Sequence, residues 1–228
     1  MKAFLDGVAS RHQSVVVIHS SVNRGFLNNV NAGIDATEHD VVLLNSDTLV
    51  AAGWLEGLER ALNCRPGVGI VSPLFNDASF LSFPKMHEKN ILPAESEFEE
   101  YANRLLTLSP RQHPEIPAGI GACMLISRKV LDSIGKLDPA FSPGYFEETD
   151  FSLRARAAGF KAVCADDIYV FHHSGKSFGE QTRTRLVKKN QVLLDLIWPD
   201  CFDELKRFIG SDPFHLHVKA LELNSKPN

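Results

Sequence analysis

The sequence predicts an α/β fold with a mostly parallel sheet flanked by helices and a helical C-terminal tail. Two observations carry this. Short apolar runs alternate with segments of helical periodicity along most of the chain. Several of those runs also end on polar clusters, as strands do at the ligand-facing edge of an open α/β sheet. A length of 228 residues suits one large domain, or one domain with an appendage. With 44% hydrophobic and 23% charged residues, the chain can bury a sizeable core.

The elements follow in order. Lys2–Ala9 reads as a short helix and Ser14–His19 (SVVVIH) as a buried strand. Phe26, Val30 and Ile34 recur four apart, which predicts a helix over Gly25–Ala36. Asp40–Asn45 (DVVLLN) is a second buried strand ending on Ser46, Asp47 and Thr48. Trp54, Leu55, Leu58 and Leu62 mark the next helix, and Gly69–Ser72 the next strand. Pro73–Pro117 mixes Pro, Asn, Ser and Glu, with a helix only at Glu95–Leu106. A connection of that length is expected to act as a lid or binding loop. Beyond it lie the strand Ala122–Ser127, the helix Arg128–Ile134, a Pro/Gly turn, an acidic-headed helix from Glu147 to Ala158, and the strand Ala162–Phe171. The segment from Phe178 onward is helical and interrupted at Pro199.

Charge and cysteines narrow the function classes. A net charge of −4 without a clustered basic face gives no reason to expect nucleic acid. Arg183, Arg185, Lys188 and Lys189 fall at helical spacing, as a solvated face or a membrane-surface contact would. Cys64, Cys123, Cys164 and Cys201 form no metal or disulfide framework, which fits a reducing compartment. The apolar runs are too short to cross a bilayer. The expected location is the cytoplasm, at most peripheral at the inner membrane.

Four polar clusters are candidates for chemistry. Asn23-Arg24-Gly25 is either a turn or a helix start whose free amides meet a phosphate or ribose. Asp47 is either a helix cap or a ligand for a hard cation, with Asn45 and Ser46 offering further oxygens. Glu147, Glu148 and Asp150 suit a helix N-terminus, where the macrodipole favours acids. Such crowding is also how catalytic carboxyls are tuned. His172 and His173 are strand-end histidines or metal ligands.

Their order and spacing together resemble a known family. N-R-G-F-x-x-x-x-N-x-G-I (Asn23–Ile34), V-V-L-L-N-S-D-T (Val41–Thr48) and G-W-L (Gly53–Leu55) come first. V-G-I-V-S-P (Val68–Pro73), G-A-C-M-L-I-S-R (Gly121–Arg128), G-Y-F-E-E-T-D-F-S-L-R-A (Gly144–Ala155) and V-F-H-H-S-G-K-S-F-G (Val170–Gly179) follow. The ensemble resembles the inverting glycosyltransferases of family 2, which have the GT-A fold. It is most similar to the bacterial members that build O-antigen and other surface polysaccharides, the rhamnosyltransferase-like group.

The resemblance implies a GT-A domain over 1–178 and a helical extension over 179–228. It implies glycosyl transfer, with inversion, from a nucleoside diphosphate sugar to a hydroxyl of a glycan or lipid-linked glycan. By position, Glu148 would be the catalytic base, and Asp47 and His172 would hold Mg²⁺ or Mn²⁺. Asn23, Gly25, Asn31, Asn45 and Ser46 would line the donor site. Asp150 and Arg154, four apart on one helix, would form a supporting ion pair. The chain would begin after the family's second strand, leaving Ser14–His19 as an apolar sheet edge able to pair with a second copy. Rival readings are a non-catalytic binding or assembly fragment and a nucleotidyltransferase on a similar fold.

Overall fold

A computed structural model describes residues 2–90, 97–173 and 180–223. Helix α1 (Lys2–Arg11) is followed by α2 (Gly25–Asp35), strand β1 (Val41–Leu44), strand β2 (Thr48–Val50), α3 (Trp54–Leu62) and β3 (Val68–Phe75). Then come α4 (Phe98–Leu108), β4 (Cys123–Ile126), α5 (Arg128–Ile134), α6 (Glu147–Ala157) and β5 (Lys161–His172). The tail forms α7 (Glu180–Ile197), α8 (Cys201–Gly210) and α9 (His215–Leu223).

The strands make one sheet in the order β1-β4-β3-β5-β2. Its centre is the parallel pair β3–β5, both buried along nearly their whole length. A strand covered on both faces needs a near-continuous apolar run, and VGIVSPLF and AVCADDIYV come close to one. The other pairings, β1–β4, β3–β4 and β2–β5, are antiparallel, so the sheet is mixed where the sequence predicted mostly parallel. The cause is where β4 and β2 land. Strands β1, β3 and β5 do share one direction, as strand–helix alternation demands, but β4 inserts between β1 and β3 the other way. The short β2, hidden in the polar run after β1, was not predicted as a strand.

One direction for β1, β3 and β5 brings their carboxyl ends to a single rim. Two cores flank the sheet. One joins α3, α4 and α9 to it through Leu58, Phe98, Leu105, Phe214 and Leu221. The other joins α2, α5, α6 and α7 through Leu27, Val130, Phe151 and Leu194. Neighbouring strand residues divide between them: Ile70 and Met124 face one core, Val71 and Leu125 the other. Helix α3 approaches closely enough that a Cβ at Gly57 would stand 2.2 Å from Ile168 Cδ1. Cys123 and Cys164 are free and buried as core residues.

Two predicted segments differ. Ser14–His19 is no strand; it joins no ladder, and Val16 and Ile18 are exposed. An apolar run becomes a strand only beside a partner, and none is present among the described residues. The segment expected as a lid or binding loop, Pro73–Pro117, is partly core: among its described residues Phe75, Leu81, Phe83 and Leu105 are fully buried.

The β3–β5 ladder skips between Pro73↔Ala165 and Leu74↔Tyr169, so Asp166 and Asp167 bulge from β5. Pro73 has no N–H to give, which suits the break. Both carboxylates are fully buried and both have partners. Asp166 accepts from the backbone N–H of Gln112 (2.9 Å) and His113 (3.1 Å), and lies 2.6 Å from His217 Nε2 on α9. Asp167 pairs with Arg60 at 2.5 Å and Arg111 at 2.9 Å. Asp166→Ala strips a buried imidazole and two amides of their acceptor. It should cost about 3–5 kcal/mol in urea unfolding, as removing one partner of a buried pair does. A loss below about 1 kcal/mol would show that the bulge needs no such anchor.

Candidate functional site

The site is built on the rim. Asn45 follows β1, and its N–H donates to Ala122 O at 3.0 Å, tying the end of β1 to the start of β4. Thr48 Oγ1 donates to Asn45 O at 2.7 Å, which closes the turn holding Ser46 and Asp47. Strand β2 then runs back against β5, with Thr48 opposite His172. Asp47 and His172 are thereby neighbours: Oδ1 and Nε2 stand 3.6 Å apart, and Asp47 O accepts from His173 N at 2.9 Å.

His172 is held from behind. Asn76, just past β3, donates its Nδ2 to His172 O (3.0 Å) and accepts from His172 N (2.6 Å). His172 Nδ1 lies 3.1 Å from Asp77 O. A carbonyl can only accept, so Nδ1 donates there, and in the neutral ring Nε2 is then the nitrogen that can act as a ligand on the side of Asp47. This is how metal-ligating histidines are usually oriented. A carboxylate oxygen beside a neutral imidazole nitrogen suits Mn²⁺ or Mg²⁺ as part of a larger ligand set. His173 is exposed and packs its ring on Phe171.

The acidic pair lies on the same rim. A Cβ at Gly121, next to Ala122, would stand 4.0 Å from Cβ and Cδ of Glu148. Ser152 links the two elements, donating to Glu148 O at 2.7 Å and accepting from Gly119 N at 2.9 Å. Oε2 of Glu147 and Oε2 of Glu148 are both buried without a hydrogen-bond partner. Burial first, then the neighbouring Glu148, pushes the Glu147 carboxyl up to about 8. Burial also raises the Glu148 carboxyl, with its own backbone N–H pulling weakly the other way.

The turn that presents this pair is strained and clamped. Tyr145 and Phe146 both take left-handed φ, 76° and 70°, which costs of order 1–3 kcal/mol each for side-chain-bearing residues. Asn190, fully buried on α7, donates Nδ2 to Phe141 O (2.8 Å), Gly144 O (2.9 Å) and Tyr145 O (3.0 Å). Asp150 receives Arg154 Nε at 2.8 Å and Trp198 Nε1 at 3.0 Å, so the supporting ion pair forms and gains a partner from α7's end. The tail expected to begin at 179 thus packs into the site.

Gly25 starts α2 with φ 72°, and Asn23 Oδ1 accepts from its N–H at 2.9 Å. Asn31 has a different occupation. Its amide donates to Leu137 O (2.9 Å) and accepts from Leu137 N (3.1 Å), fastening α2 to the turn before α6. Asn76, Asp77 and Asn190 were missed by sequence reasoning. The first two also follow a strand, the signal that singled out Asn45–Asp47. Asn190 gives none, since an Asn in a polar helix looks solvated. The block Ser174–Gly179 lies outside the described residues.

His113, Asp166 and Asp167 offer ligand-type atoms within 4.8 Å of one another and could hold a metal ion on that count. Arg60 and Arg111 already neutralise Asp167, however, and a dication there would face both guanidinium groups.

Fold and rim define an α/β protein with a five-stranded mixed sheet and a polar site where its strands end. Residues 2–187 match glycosyltransferase-like family 2, and the chain belongs to that family. It is 28% identical over 163 residues to the uncharacterized protein y4gI of Sinorhizobium fredii (strain NBRC 101917 / NGR234), covering 66% of this chain and 17% of that one. GalNAc-T7, solved with UDP, GalNAc and Mn²⁺, superposes with TM-score 0.63 at 14% identity, over 91% of this chain and 41% of that one. The mannosyltransferase PcManGT of Pyrobaculum calidifontis, solved with GDP-Man and Mn²⁺, gives 0.56 at 14%, over 100% and 63%. The chain therefore spans less than two thirds of each of these relatives.

Two outcomes test the geometry. Asn190→Ala takes an amide away from three carbonyls around the left-handed turn, so it should lower stability by about 1–3 kcal/mol in urea unfolding. An unchanged midpoint would remove Asn190 from the turn's support. For Glu147, the folded carboxyl keeps its proton up to about pH 8, whereas the unfolded one loses it near 4.5. The unfolded state therefore binds fewer protons in between, and stability should fall as pH rises from 5 to 8. Glu147→Gln should flatten that slope in urea midpoints; a slope as steep as in the parent would refute the assignment.

Proposed function

We propose that the chain transfers a glycosyl group from a nucleoside diphosphate sugar to an acceptor hydroxyl with inversion, in building a bacterial surface glycan. The observation that carries this is the shared rim: Glu148 beside the start of β4, and Asp47 with His172 where β1 and β5 end. The acceptor's O–H proton passes to Glu148 as its oxygen bonds to the anomeric carbon from one side. The bond from that carbon to the diphosphate breaks on the other, its electron pair leaving with the diphosphate. Asp47 and His172 would hold Mn²⁺ or Mg²⁺, which when bound neutralises the charge on the leaving diphosphate. Asn23, Gly25, Asn45 and Ser46 would face the donor; Asn31 serves through Leu137. The acceptor would be a glycan or lipid-linked glycan.

A cytoplasmic setting, with peripheral contact at the inner membrane, belongs to the same proposal. Among the described residues no helix is long and apolar enough to cross a membrane. Exposed Val16 and Ile18 support pairing with a second copy.

Glu148→Gln keeps the shape and loses the proton affinity. Transfer should fall about 10²–10⁴-fold, with donor binding nearly unchanged. In the parent enzyme, transfer should rise with pH through a midpoint above the ordinary carboxylate range, because the base acts only once its raised carboxyl ionises. Full activity in the Gln variant would hand the role to another group.

A further inference from the structure

Glu148 borders a cavity of about 180 Å³ that α8 closes from the tail side. Its walls are Phe80, Ile120, Phe146, Leu153, Phe202 and Leu205. Phe202 meets Phe146 edge to face at 5.9 Å between ring centres, fixing that wall to the strained turn. The polar residues on this mainly apolar wall are Ser79, Tyr145, Glu148, Thr149, Cys201 and Glu204, the last of which is engaged by Arg156 at 2.7 Å.

Size and chemistry together select a ligand. A cavity of about 150 Å³ lined by Leu, Ile and Phe holds one benzene-sized ring. A hydroxyl-rich ring of that size would set some of its O–H groups against the apolar wall, each one left unpaired costing about tenfold in affinity. One partner does wait: Glu148 Oε2 is buried and accepts no hydrogen bond from any described residue. One O–H on an otherwise apolar ring would satisfy it.

We propose that this cavity seats the acceptor by a ring-sized, largely apolar alcohol moiety whose single nearby hydroxyl is turned to Glu148. This rests on the proposed transfer at Glu148 and adds the class of acceptor. The acceptor group is then a ring poor in hydroxyls beside its reacting oxygen, rather than a fully hydroxylated sugar face or a linear chain. That hydroxyl gives its proton to Glu148 and its oxygen to the anomeric carbon, and the diphosphate leaves with the bonding pair.

The probes are cyclohexanol, inositol and octanol, tested on the whole chain by ligand-observed NMR. Cyclohexanol should bind at least tenfold tighter than inositol and no weaker than octanol. Leu205→Trp, which fills the cavity, should weaken cyclohexanol at least tenfold. Its circular dichroism should match the parent's, and the milder Leu205→Phe should give an intermediate loss. Inositol binding equally well, octanol binding better, or indifference to both Leu205 variants would overturn the inference. Incubation with a nucleotide sugar and Mn²⁺ separates the two levels. A cyclohexyl glycoside supports both. Binding without transfer to any alcohol keeps the ligand class and rejects transfer at Glu148, whereas transfer to inositol alone keeps the transfer and rejects the class.

Discussion

Everything at the rim depends on the parallel pairing of β3 with β5. It is the sheet's longest ladder, and it sets two strand ends side by side, one ending at Asn76 and Asp77 and the other at His172. The two-way amide clamp between Asn76 and His172 works only in that register. A one-residue slip would turn His172 to the opposite face of the sheet. Thr48, and Asp47 with it, reach His172 through the second ladder, β2–β5, which hangs on the same strand. The setting of the imidazole and its distance to Asp47 thus both trace to where β5 is held. The ladder shifts register between Val68 and Ile70 and again after Pro73, where Asp166 and Asp167 tie the bulge to α3, α9 and the loop before β4.

The helical tail completes the site. A turn with two successive left-handed residues is not stable in isolation, and Asn190 offsets its strain by satisfying three carbonyls at once. Trp198 fixes Asp150, and Phe202 braces Phe146, so α6 is held at its first turn from α7 and α8. Residues far along the chain therefore decide where Glu148 stands.

Much of this was legible in the sequence, for identifiable reasons. Helices α2, α3, α5 and α6 carried clear periodicity or acidic heads, and their bounds match to within a few residues. The strand-end rule picked out Asn45–Asp47 and His172 because polar residues stop an apolar run abruptly there. Sheet direction was not legible, since neither β4 nor the three-residue β2 differs in composition from a parallel strand. Ser14–His19 was misread because hydrophobicity marks a surface that wants covering, while a strand also needs a neighbour. Asn190 and the α8 wall were invisible, because their roles arise only when the tail folds back over the turn.

The chain encloses two adjacent acid pairs, with Glu148 half-buried and the other three carboxylates buried, and treats the pairs differently. For Asp166, burial pushes the carboxyl up, but bonds from His113 and His217 outweigh it and hold it well below the usual range. Asp167 is matched by two guanidinium groups. Asp167 keeps its Oδ1 unpaired, but both carboxylates are held by cationic or N–H partners, so that pair anchors the fold. Among the described residues no cation pairs with Glu147 or Glu148, and each keeps an unpaired buried oxygen, so their carboxyls are pushed up instead. Only their own backbone N–H groups work the other way. A pair left in that state at the mouth of a cavity lowers stability and raises basicity together. That combination suits a proton acceptor whose partner arrives with the substrate.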